Sequence, residues 1–305
     1  MPDKAELIVE DRKIQVSNLD KVLYPKVGFT KGQVIDYYIR IAPVLLSHLK
    51  DRPLTMKRYP DGVEGEFFYE KNCPSHRPKW VKTAKVWSES NKRMMNYCLA
   101  QDLPTLVWAA NLADLELHTS LARKRDVARP TMMVFDLDPG APGDIVQCCQ
   151  IGLWLRDLLA KMKLKSFAKT SGSKGLQVYV PLNTAVTFDQ TKDLSRALAQ
   201  HLEHQHADLV TSNMSKAARK GKVFVDWSQN DEHKTTICVY SLRAKEEPTV
   251  STPVSWDEVE TCLKKKKADL LKFRSDKTLA RVEKHGDLFA PVEKLKQKLP
   301  AKWKL

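Results

Sequence analysis

The stretch MMVFDLDPG, Met132 to Gly140, places an apolar run directly before two aspartates and a Pro-Gly turn. In a β-strand, side chains alternate between the two faces. Asp136 and Asp138 would therefore share one face while Leu137 points to the other. Two carboxylates held this close repel each other unless a cation lies between them. The pattern predicts a strand that ends at a metal site, with an ordinary junction between strand and turn as the alternative.

Strands and helices alternate on either side of this stretch. Apolar residues at helical spacing follow the PGAPG turn, KSFAKTSGSKGLQVYVPL predicts two strands joined by a glycine loop, and KVFVDWS predicts a further strand. Capping boxes predict helix starts at Thr30 and Ser255. These elements predict an α+β fold with helices on one face of a sheet. We expect a single domain over residues 1–305, with an N-terminal lobe of about 1–125 and a catalytic lobe of about 126–305.

The charge of the chain indicates its class of partner. Its 305 residues carry 51 Lys and Arg against 37 Asp and Glu, a formal net charge of +14. Such an excess favours polyanions, because neutralising phosphates releases counterions, although lysine-rich surfaces can also serve solubility alone. No apolar stretch approaches the ~20 residues that span a bilayer, and the N-terminus does not resemble a signal peptide. The six cysteines show no Cys-x-x-Cys spacing, so we expect reduced thiols in a cytoplasmic protein.

The glycine loop TSGSKGLQ is a candidate phosphate-binding element. Gly172 and Gly175 would let the backbone approach an anion, while Ser171, Ser173 and Lys174 add donors and positive charge. The spacing is not that of a Walker loop. An ordinary hairpin connection is the alternative.

A third acidic position, Asp226 in KVFVDWSQN, follows another apolar strand. An acid at a strand end commonly forms a turn or an ion pair. Together with Asp136 and Asp138, it could complete a set of three carboxylates that binds two divalent cations for phosphoryl transfer. All-oxygen ligation suits Mg²⁺ or Mn²⁺.

These motifs together resemble a known family. FDLDPG, TSGSKGLQVYVPL, KVFVDWSQN, KTTICVYSLRA and PTVSTPVSWDEV occur in the order found in the polymerase domain of bacterial ligase D, and SNLDKVLYP and LADLELHT extend the similarity to the N-terminal part. That domain belongs to the archaeo-eukaryotic primase superfamily and serves non-homologous end joining. The resemblance implies an RRM-like catalytic sheet with flanking helices, packed with an N-terminal α/β lobe.

The resemblance also implies roles for individual residues. Asp136, Asp138 and Asp226 match the metal ligands and catalytic residues of the family. The positions that match nucleotide contacts are Lys57, His118, Ser171, Gly172, Ser173, Lys174, Gly175, Gln177 and Arg243. A buried core histidine and a surface ion pair are the alternatives for His118 and Arg243.

Two further groups match positions that contact DNA in the family. Asn18, Lys21 and Lys31 correspond to the pocket for the 5′ phosphate on the downstream side of a gap. A lysine at a helix start adds its charge to the positive end of the helix dipole. Phe68 and Tyr69 correspond to aromatic residues placed against the DNA, where stacking contributes roughly 1–3 kcal/mol per base. The alternative is that one or both fill the core.

One residue departs from the family pattern. The glycine loop of the family ends in histidine, whereas this chain has Gln177. Glutamine can donate a hydrogen bond to a phosphate oxygen but cannot carry a positive charge. We therefore expect weaker triphosphate binding than in a relative that has the histidine.

The resemblance implies a template-directed nucleotidyltransferase that fills gaps and extends 3′ ends at double-strand breaks. Its cofactors would be two divalent ions, Mn²⁺ or Mg²⁺, and its substrates ribonucleoside or deoxyribonucleoside triphosphates. The expected partners are gapped or 3′-overhang DNA with a 5′ phosphate, Ku and a DNA ligase, in the bacterial nucleoid and away from any membrane. The alternatives are a break-binding module with weak polymerase activity and a primase that needs no primer.

Overall fold

The computed structural model describes residues 4–89, 91–301 and 303. Its strands are β1 (Lys4–Val9), β2 (Arg12–Ser17), β3 (Val22–Tyr24), β4 (Phe29–Thr30), β5 (Leu54–Arg58), β6 (Phe68–Glu70), β7 (Thr83–Ser88), β8 (Arg93–Cys98), β9 (Asp114–Thr119), β10 (Ala122–Arg123), β11 (Asp126–Pro130), β12 (Met132–Pro139), β13 (Phe167–Thr170), β14 (Leu176–Pro181), β15 (Val210–Thr211), β16 (Val223–Asp226), β17 (Thr236–Ile237) and β18 (Pro253–Val254). Its α-helices are α1 (Lys31–Leu49), α2 (Leu103–Asn111), α3 (Ile145–Lys161), α4 (Phe188–Gln205), α5 (Trp256–Lys265), α6 (Ser275–His285) and α7 (Ala290–Lys294). Within the described ranges, no helix is both long enough and apolar enough to cross a bilayer.

The chain divides into two compact units, each built from several segments. The first unit consists of Met1–Arg125, Thr235–Val250 and Arg274–Asp287. The second unit consists of Asp126–Lys234, Ser251–Phe273 and Leu288–Leu305. The mixture of helices and sheets confirms the predicted α+β fold class.

The first unit contains an antiparallel sheet in the order β17-β9-β5-β8-β7, with β6 paired to β5. Helix α1 begins as predicted: the Thr30 hydroxyl accepts from the Gln33 amide, and the Gln33 side chain accepts from the Thr30 amide. Its apolar face is tied to neighbouring elements by two tyrosine hydroxyls. That of Tyr37 donates to the Tyr240 carbonyl, and that of Tyr38 donates to the Leu115 carbonyl. The helix is thereby fixed next to β9, a strand that carries predicted site residues.

The second unit contains a sheet in the order β15-β16-β12-β14-β13-β18, in which only the β15–β16 pair is parallel. The predicted strand at Met132 lies in its interior, paired on both sides. Met133, Phe135 and Leu137 are buried in one apolar cluster with residues of α3, α4 and α5. Because side chains alternate along a strand, Asp136 and Asp138 lie on the other face.

Helix starts in the second unit follow local capping signals. The predicted capping box of α5 is confirmed, with Ser255 and Glu258 each accepting from the other's backbone amide. Helix α3 starts at the same kind of box, formed by Asp144 and Gln147. Each box satisfies amide groups that the helix itself leaves without partners.

A fully buried asparagine fixes β12 from the side. Asn230 accepts from the Val134 amide and donates to the Val134 carbonyl, at 2.8 and 2.7 Å. Its amide nitrogen also lies 3.1 Å from the Ser195 hydroxyl on α4. The asparagine thus ties helix α4 to the strand that carries the two aspartates.

The prediction of reduced thiols throughout is wrong for one pair of cysteines. Cys73 and Cys98 form a disulfide, while Cys148, Cys149, Cys238 and Cys262 are buried thiols outside that disulfide. The pair joins the end of β8 to a loop 25 residues earlier in the chain. Spacing along the sequence could not reveal the pairing because it depends on how strands fold together.

Candidate active site

The strand register gathers the three predicted carboxylates on one face of the second unit's sheet. Asp136 on β12 lies directly opposite Asp226 on β16. Directly opposed residues of an antiparallel pair share a face, with Cβ atoms roughly 5 Å apart. Asp138, two residues further along β12, points to the same face. Residues separated by some 90 positions in the sequence are therefore neighbours in the fold.

The electrostatics of Asp136 reflect this crowding of acids. Burial and then the charge of Asp138 raise the pKa of Asp136 to about 7, with a further contribution from Asp226. A hydrogen bond from Gln177 and the charge of Lys169 act in the opposite direction. Neighbouring carboxylates raise one another's pKa because each disfavours the charged form of the other.

The donor set suits a hard divalent cation, although it is not a closed cage. Asp136 Oδ1 is buried and has no hydrogen-bond partner among the described residues. Asp226 caps the following turn, where its Oδ1 accepts from the Ser228 amide and hydroxyl and its Oδ2 accepts from Gln229. Within the described part of the chain, no group of three His, Cys, Asp or Glu side chains is arranged to hold a metal ion as it stands. A carboxylate oxygen with two lone pairs can accept a hydrogen bond and still ligate Mg²⁺ or Mn²⁺, so these residues fit such an ion.

The glycine loop lies beside these acids. A Cβ on Gly175 would meet the Leu137 carbonyl oxygen at 2.3 Å and Asp138 Oδ1 at 3.5 Å. Glycine is therefore required at this position because the backbone of β12 passes so close to the loop. Gly172 adopts a left-handed conformation, with φ of 68°. The loop is thereby held against the end of the strand that carries Asp138.

Within the loop, the predicted donors divide into two kinds. The Ser171 hydroxyl oxygen accepts from the amides of Ser173 and Gly175, which closes the turn. The side chains of Ser173 and Lys174 are exposed to solvent. The exposed pair can therefore meet a ligand from solution, whereas Ser171 shapes the loop that presents them.

Gln177 has structural partners in addition to its predicted nucleotide contact. Its side chain is buried, its amide oxygen accepts from Lys169 Nζ at 2.5 Å, and it hydrogen-bonds to Asp136. The contact between Gln177 and triphosphate stays a prediction. Lys169 was missed by the sequence analysis; its position directly before the glycine loop TSGSKGLQ was the one signal that the sequence offered.

In the first unit, three predicted nucleotide contacts surround one buried acid that the sequence analysis also missed. Glu116 Oε2 lies 3.0 Å from His118 Nε2 and 3.7 Å from Lys57 Nζ, and Glu116 Oε1 lies 3.2 Å from Arg243 Nε. The amide of Ala244 also donates to Glu116 Oε1. Glu116 and His118 alternate with apolar residues in DLELHT, which places both on one face of β9. The structure therefore brings Lys57, His118 and Arg243 together around Glu116.

The single negative charge of Glu116 offsets part of the positive charge of this cluster. Burial alone would raise the pKa of Glu116, but the hydrogen bond with His118 and the charges of Arg243 and Lys57 hold it well below its ordinary value. Burial lowers the pKa of His118, against the opposing effect of Glu116. The cluster thus holds an ionised glutamate among cationic side chains near neutral pH, so its positive charges are oriented by a buried anion.

Both predicted stacking aromatics are on the surface, so neither fills the core. Phe68 is 43% exposed and Tyr69 is 55% exposed. The Tyr69 ring meets His118 edge-on with centroids 5.9 Å apart, whereas Phe68 lies under the Arg58 guanidinium on the other face of β6. Phe67, which the sequence analysis did not single out, is also half exposed, and Lys57 Nζ lies 4.1 Å from the centroid of its ring.

The three residues predicted to bind a 5′ phosphate come together at the start of α1. The Lys21 amide donates to the Asn18 carbonyl, and the Lys31 amide donates to the Lys21 carbonyl. Burial, and then the charges of Lys21 and Arg58, lower the pKa of Lys31 to about 8. The first amides of the helix are bonded within the chain, including that of Gly32 to the Leu19 carbonyl. A phosphate at this position would therefore depend on the lysine side chains.

Comparison with known proteins identifies the class to which this fold and site belong. The family model described as the LigD primase-polymerase domain matches residues 30–289. The multifunctional non-homologous end joining protein LigD of Mycolicibacterium smegmatis is 41% identical over 283 residues, which is 92% of this chain and 36% of that protein. The bifunctional LigD of Bacillus subtilis is 33% identical over 90% of this chain and 43% of that protein. A solved structure titled as the polymerase domain of Mycobacterium tuberculosis ligase D in complex with DNA matches with a TM-score of 0.85 at 39% identity, covering 92% of this chain and 98% of that one.

The chain belongs to the LigD primase-polymerase domain family. The resemblance found in the sequence motifs is thereby confirmed. The chain spans roughly a third to two-fifths of the length of these curated relatives.

Proposed function

We propose that this chain is a template-directed nucleotidyltransferase that fills gaps and extends 3′ ends at DNA double-strand breaks. Membership of the LigD primase-polymerase family supports the polymerase class and a role in end joining. The observation that carries the proposal is the register of Asp136 opposite Asp226, with Asp138 on the same face. Three carboxylates on one face are a ligand set that suits the divalent ions used in phosphoryl transfer.

Asp136, Asp138 and Asp226 are the proposed ligands for Mn²⁺ or Mg²⁺. When bound, two such ions supply charge stabilisation for the attacking 3′ hydroxyl oxygen and the leaving pyrophosphate. The exposed Ser173 and Lys174 bind the triphosphate of the incoming nucleotide, and the turn formed by Ser171, Gly172 and Gly175 holds them beside Asp138. Lys57, His118 and Arg243 remain proposed nucleotide contacts on the strength of the family resemblance.

DNA is the proposed polymer substrate. The net charge of +14 supports a polyanionic partner, and the similar ligase D polymerase domain has been solved in complex with DNA. Asn18, Lys21 and Lys31 are the proposed contacts for a downstream 5′ phosphate. The exposure of Phe68 and Tyr69 supports stacking on bases at the gap.

The remaining partners are proposed from the names of the relatives. Those proteins are called non-homologous end joining proteins, and we propose Ku and a DNA ligase as partners on that ground. Ribonucleoside and deoxyribonucleoside triphosphates are both proposed substrates.

Primer extension on a gapped duplex tests the proposal. The intact chain should add nucleotides to the primer with Mn²⁺ or Mg²⁺ and none with EDTA. Asp138→Asn should abolish extension, whereas Asp193→Asn, which alters an exposed acid on α4, should not. A chain that binds the gapped duplex but never extends it would instead be a break-binding module.

A further inference from the structure

Four polar side chains form one row across the sheet of the second unit. Lys169 on β13 lies opposite Gln177 on β14, Gln177 lies opposite Asp136 on β12, and Asp136 lies opposite Asp226 on β16. Because directly opposed residues share a face, the row runs from a buried lysine to two of the proposed metal ligands. The proposed function uses the acidic end of this row and leaves the lysine without a role.

Lys169 is an unusual residue to find fully buried on a strand that is paired on both sides. Its side chain is fully buried, and its ammonium donates to Gln177 Oε1 at 2.5 Å and to the Ser251 hydroxyl at 2.6 Å. The same ammonium lies 5.3 Å from the Tyr179 ring centroid. Lysine is almost never fully buried unless it is paired, so these contacts maintain a costly arrangement. An apolar residue would pack at this position without that cost, which argues for a specific role.

The ammonium determines which way the Gln177 amide faces. An ammonium has only donors, so it requires the amide oxygen on its own side. The amide nitrogen is then directed towards Asp136, to which Gln177 donates a hydrogen bond. The reversed amide would set its nitrogen against the ammonium and its oxygen against the carboxylate, and both contacts would be repulsive.

The hydrogen bond from Gln177 holds the Asp136 carboxylate and so fixes the direction of its other oxygen. Asp136 Oδ1 is buried and has no hydrogen-bond partner in the described part of the chain. A carboxylate held through one oxygen has a defined direction for the second oxygen. Loss of an outer partner that orients a ligand in this way commonly lowers metal affinity about 10- to 100-fold.

We propose that Lys169 is a positioning residue, which acts through Gln177 to orient Asp136 for binding a divalent cation. The inference rests on the proposed function, because it takes Asp136 as a metal ligand. It also accounts for glutamine at position 177, because an amide offers an acceptor and a donor on opposite sides. A neutral imidazole likewise offers one acceptor and one donor on opposite sides, so it can accept from the lysine and donate to the aspartate.

Manganese affinity of the full chain tests this inference without relying on activity. Free Mn²⁺ gives an electron paramagnetic resonance signal that disappears on binding, so a titration measures affinity directly. Lys169→Met and Gln177→Leu should each weaken binding about 10- to 100-fold, the range for loss of an outer-shell partner. Gln177→His should leave the Mn²⁺ affinity within about threefold of that of the intact chain, because histidine keeps both the donor and the acceptor. Lys165→Met is the matched control, because Lys165 is exposed and lies four residues away on the same segment.

Asp136→Asn provides the reference that separates the two proposals. If Asp136→Asn loses Mn²⁺ while Lys169→Met and Gln177→Leu bind it like the intact chain, the positioning role is refuted and the metal site stands. If the intact chain binds no Mn²⁺, both proposals fail. Circular dichroism establishes that each variant is folded. Should Lys169→Met fail to fold, the two variants at position 177 decide. Weak Mn²⁺ binding by Gln177→Leu with near-normal binding by Gln177→His supports the positioning role. Equal Mn²⁺ affinities of the two variants overturn it.

Discussion

Asp136 and Asp226 face each other across a single pair of antiparallel strands, although 90 residues separate them in the sequence. Asp138 completes the set from the next outward position of the same strand. The proposed chemistry thus rests on strands of one sheet, whose register a loop movement would leave unchanged. Carboxylates on strands are held more rigidly than carboxylates on loops would be.

Asp226→Asn should reduce the rate of primer extension by at least about 100-fold. The variant loses several kcal/mol of charge stabilisation in the transition state, and each ~1.4 kcal/mol lowers the rate tenfold. The substitution keeps the side-chain shape and one acceptor for Ser228, so the turn after β16 should survive. Steady-state extension on a gapped duplex measures the change, with Asp193→Asn as the control. Extension at the control rate would remove Asp226 from the site.

Binding of a downstream 5′ phosphate should weaken as pH rises through about 8. Burial, Lys21 and Arg58 lower the pKa of Lys31 to about 8, so the free protein loses this positive charge above that pH while the phosphate remains dianionic. The gain in affinity from the phosphate should fall about tenfold between pH 7 and pH 9, as one linked proton requires. Fluorescence anisotropy with gapped duplexes carrying a 5′ phosphate or a 5′ hydroxyl measures that gain. Lys31→Arg, which stays charged, should show a nearly flat profile; an equally flat profile in the intact chain would contradict the assignment.

Glu116→Gln should destabilise the chain near neutral pH and much less in acid. The folded-state pKa of Glu116 lies below its unfolded value. Its stabilising contribution is therefore complete above the unfolded pKa of about 4.3, begins to decline below it, and is lost only as pH falls through the lower folded-state pKa. We expect a loss of about 2 kcal/mol at pH 7, the scale of a hydrogen bond to a charged group. Urea unfolding at pH 7 and at about pH 2.5, well below the unfolded pKa, measures the difference, with exposed Glu64→Gln as the control; an equal loss at both pH values would count against an ionised Glu116.

Asn230→Ala should destabilise the second unit because it leaves the amide and carbonyl of Val134 buried without their partner. Each such group costs about 1–3 kcal/mol. Urea unfolding measures the loss. Asn230→Asp keeps the acceptor for the Val134 amide but removes the donor to the Val134 carbonyl. Its free energy of unfolding should also lie below that of the unmodified chain. A stability equal to that of the unmodified chain would show that water replaces the asparagine.

What the sequence could predict is largely what is local. The capping boxes at Thr30 and Ser255 depend on residues three positions apart, and both predicted helix starts are confirmed. Alternation along β12 correctly separated Asp136 and Asp138 from the apolar face that packs on the helices. Such patterns need no knowledge of which strands pair.

What the sequence could not predict depends on pairing between distant segments. Lys169 has meaning only because β13 lies against β14 in one particular register, and Glu116 only because Lys57 and Arg243 come from other parts of the chain. The disulfide between Cys73 and Cys98 depends on strand packing in the same way. Buried charges were missed for a common reason: a lysine or glutamate in the sequence carries no sign of its future burial.

The central claim is most directly tested by anomalous diffraction at the manganese edge from crystals grown with Mn²⁺. We expect density within bonding distance of carboxylate oxygens from Asp136, Asp138 and Asp226. Manganese density located elsewhere, or ordered side chains at these three positions with no ion among them, would contradict the account.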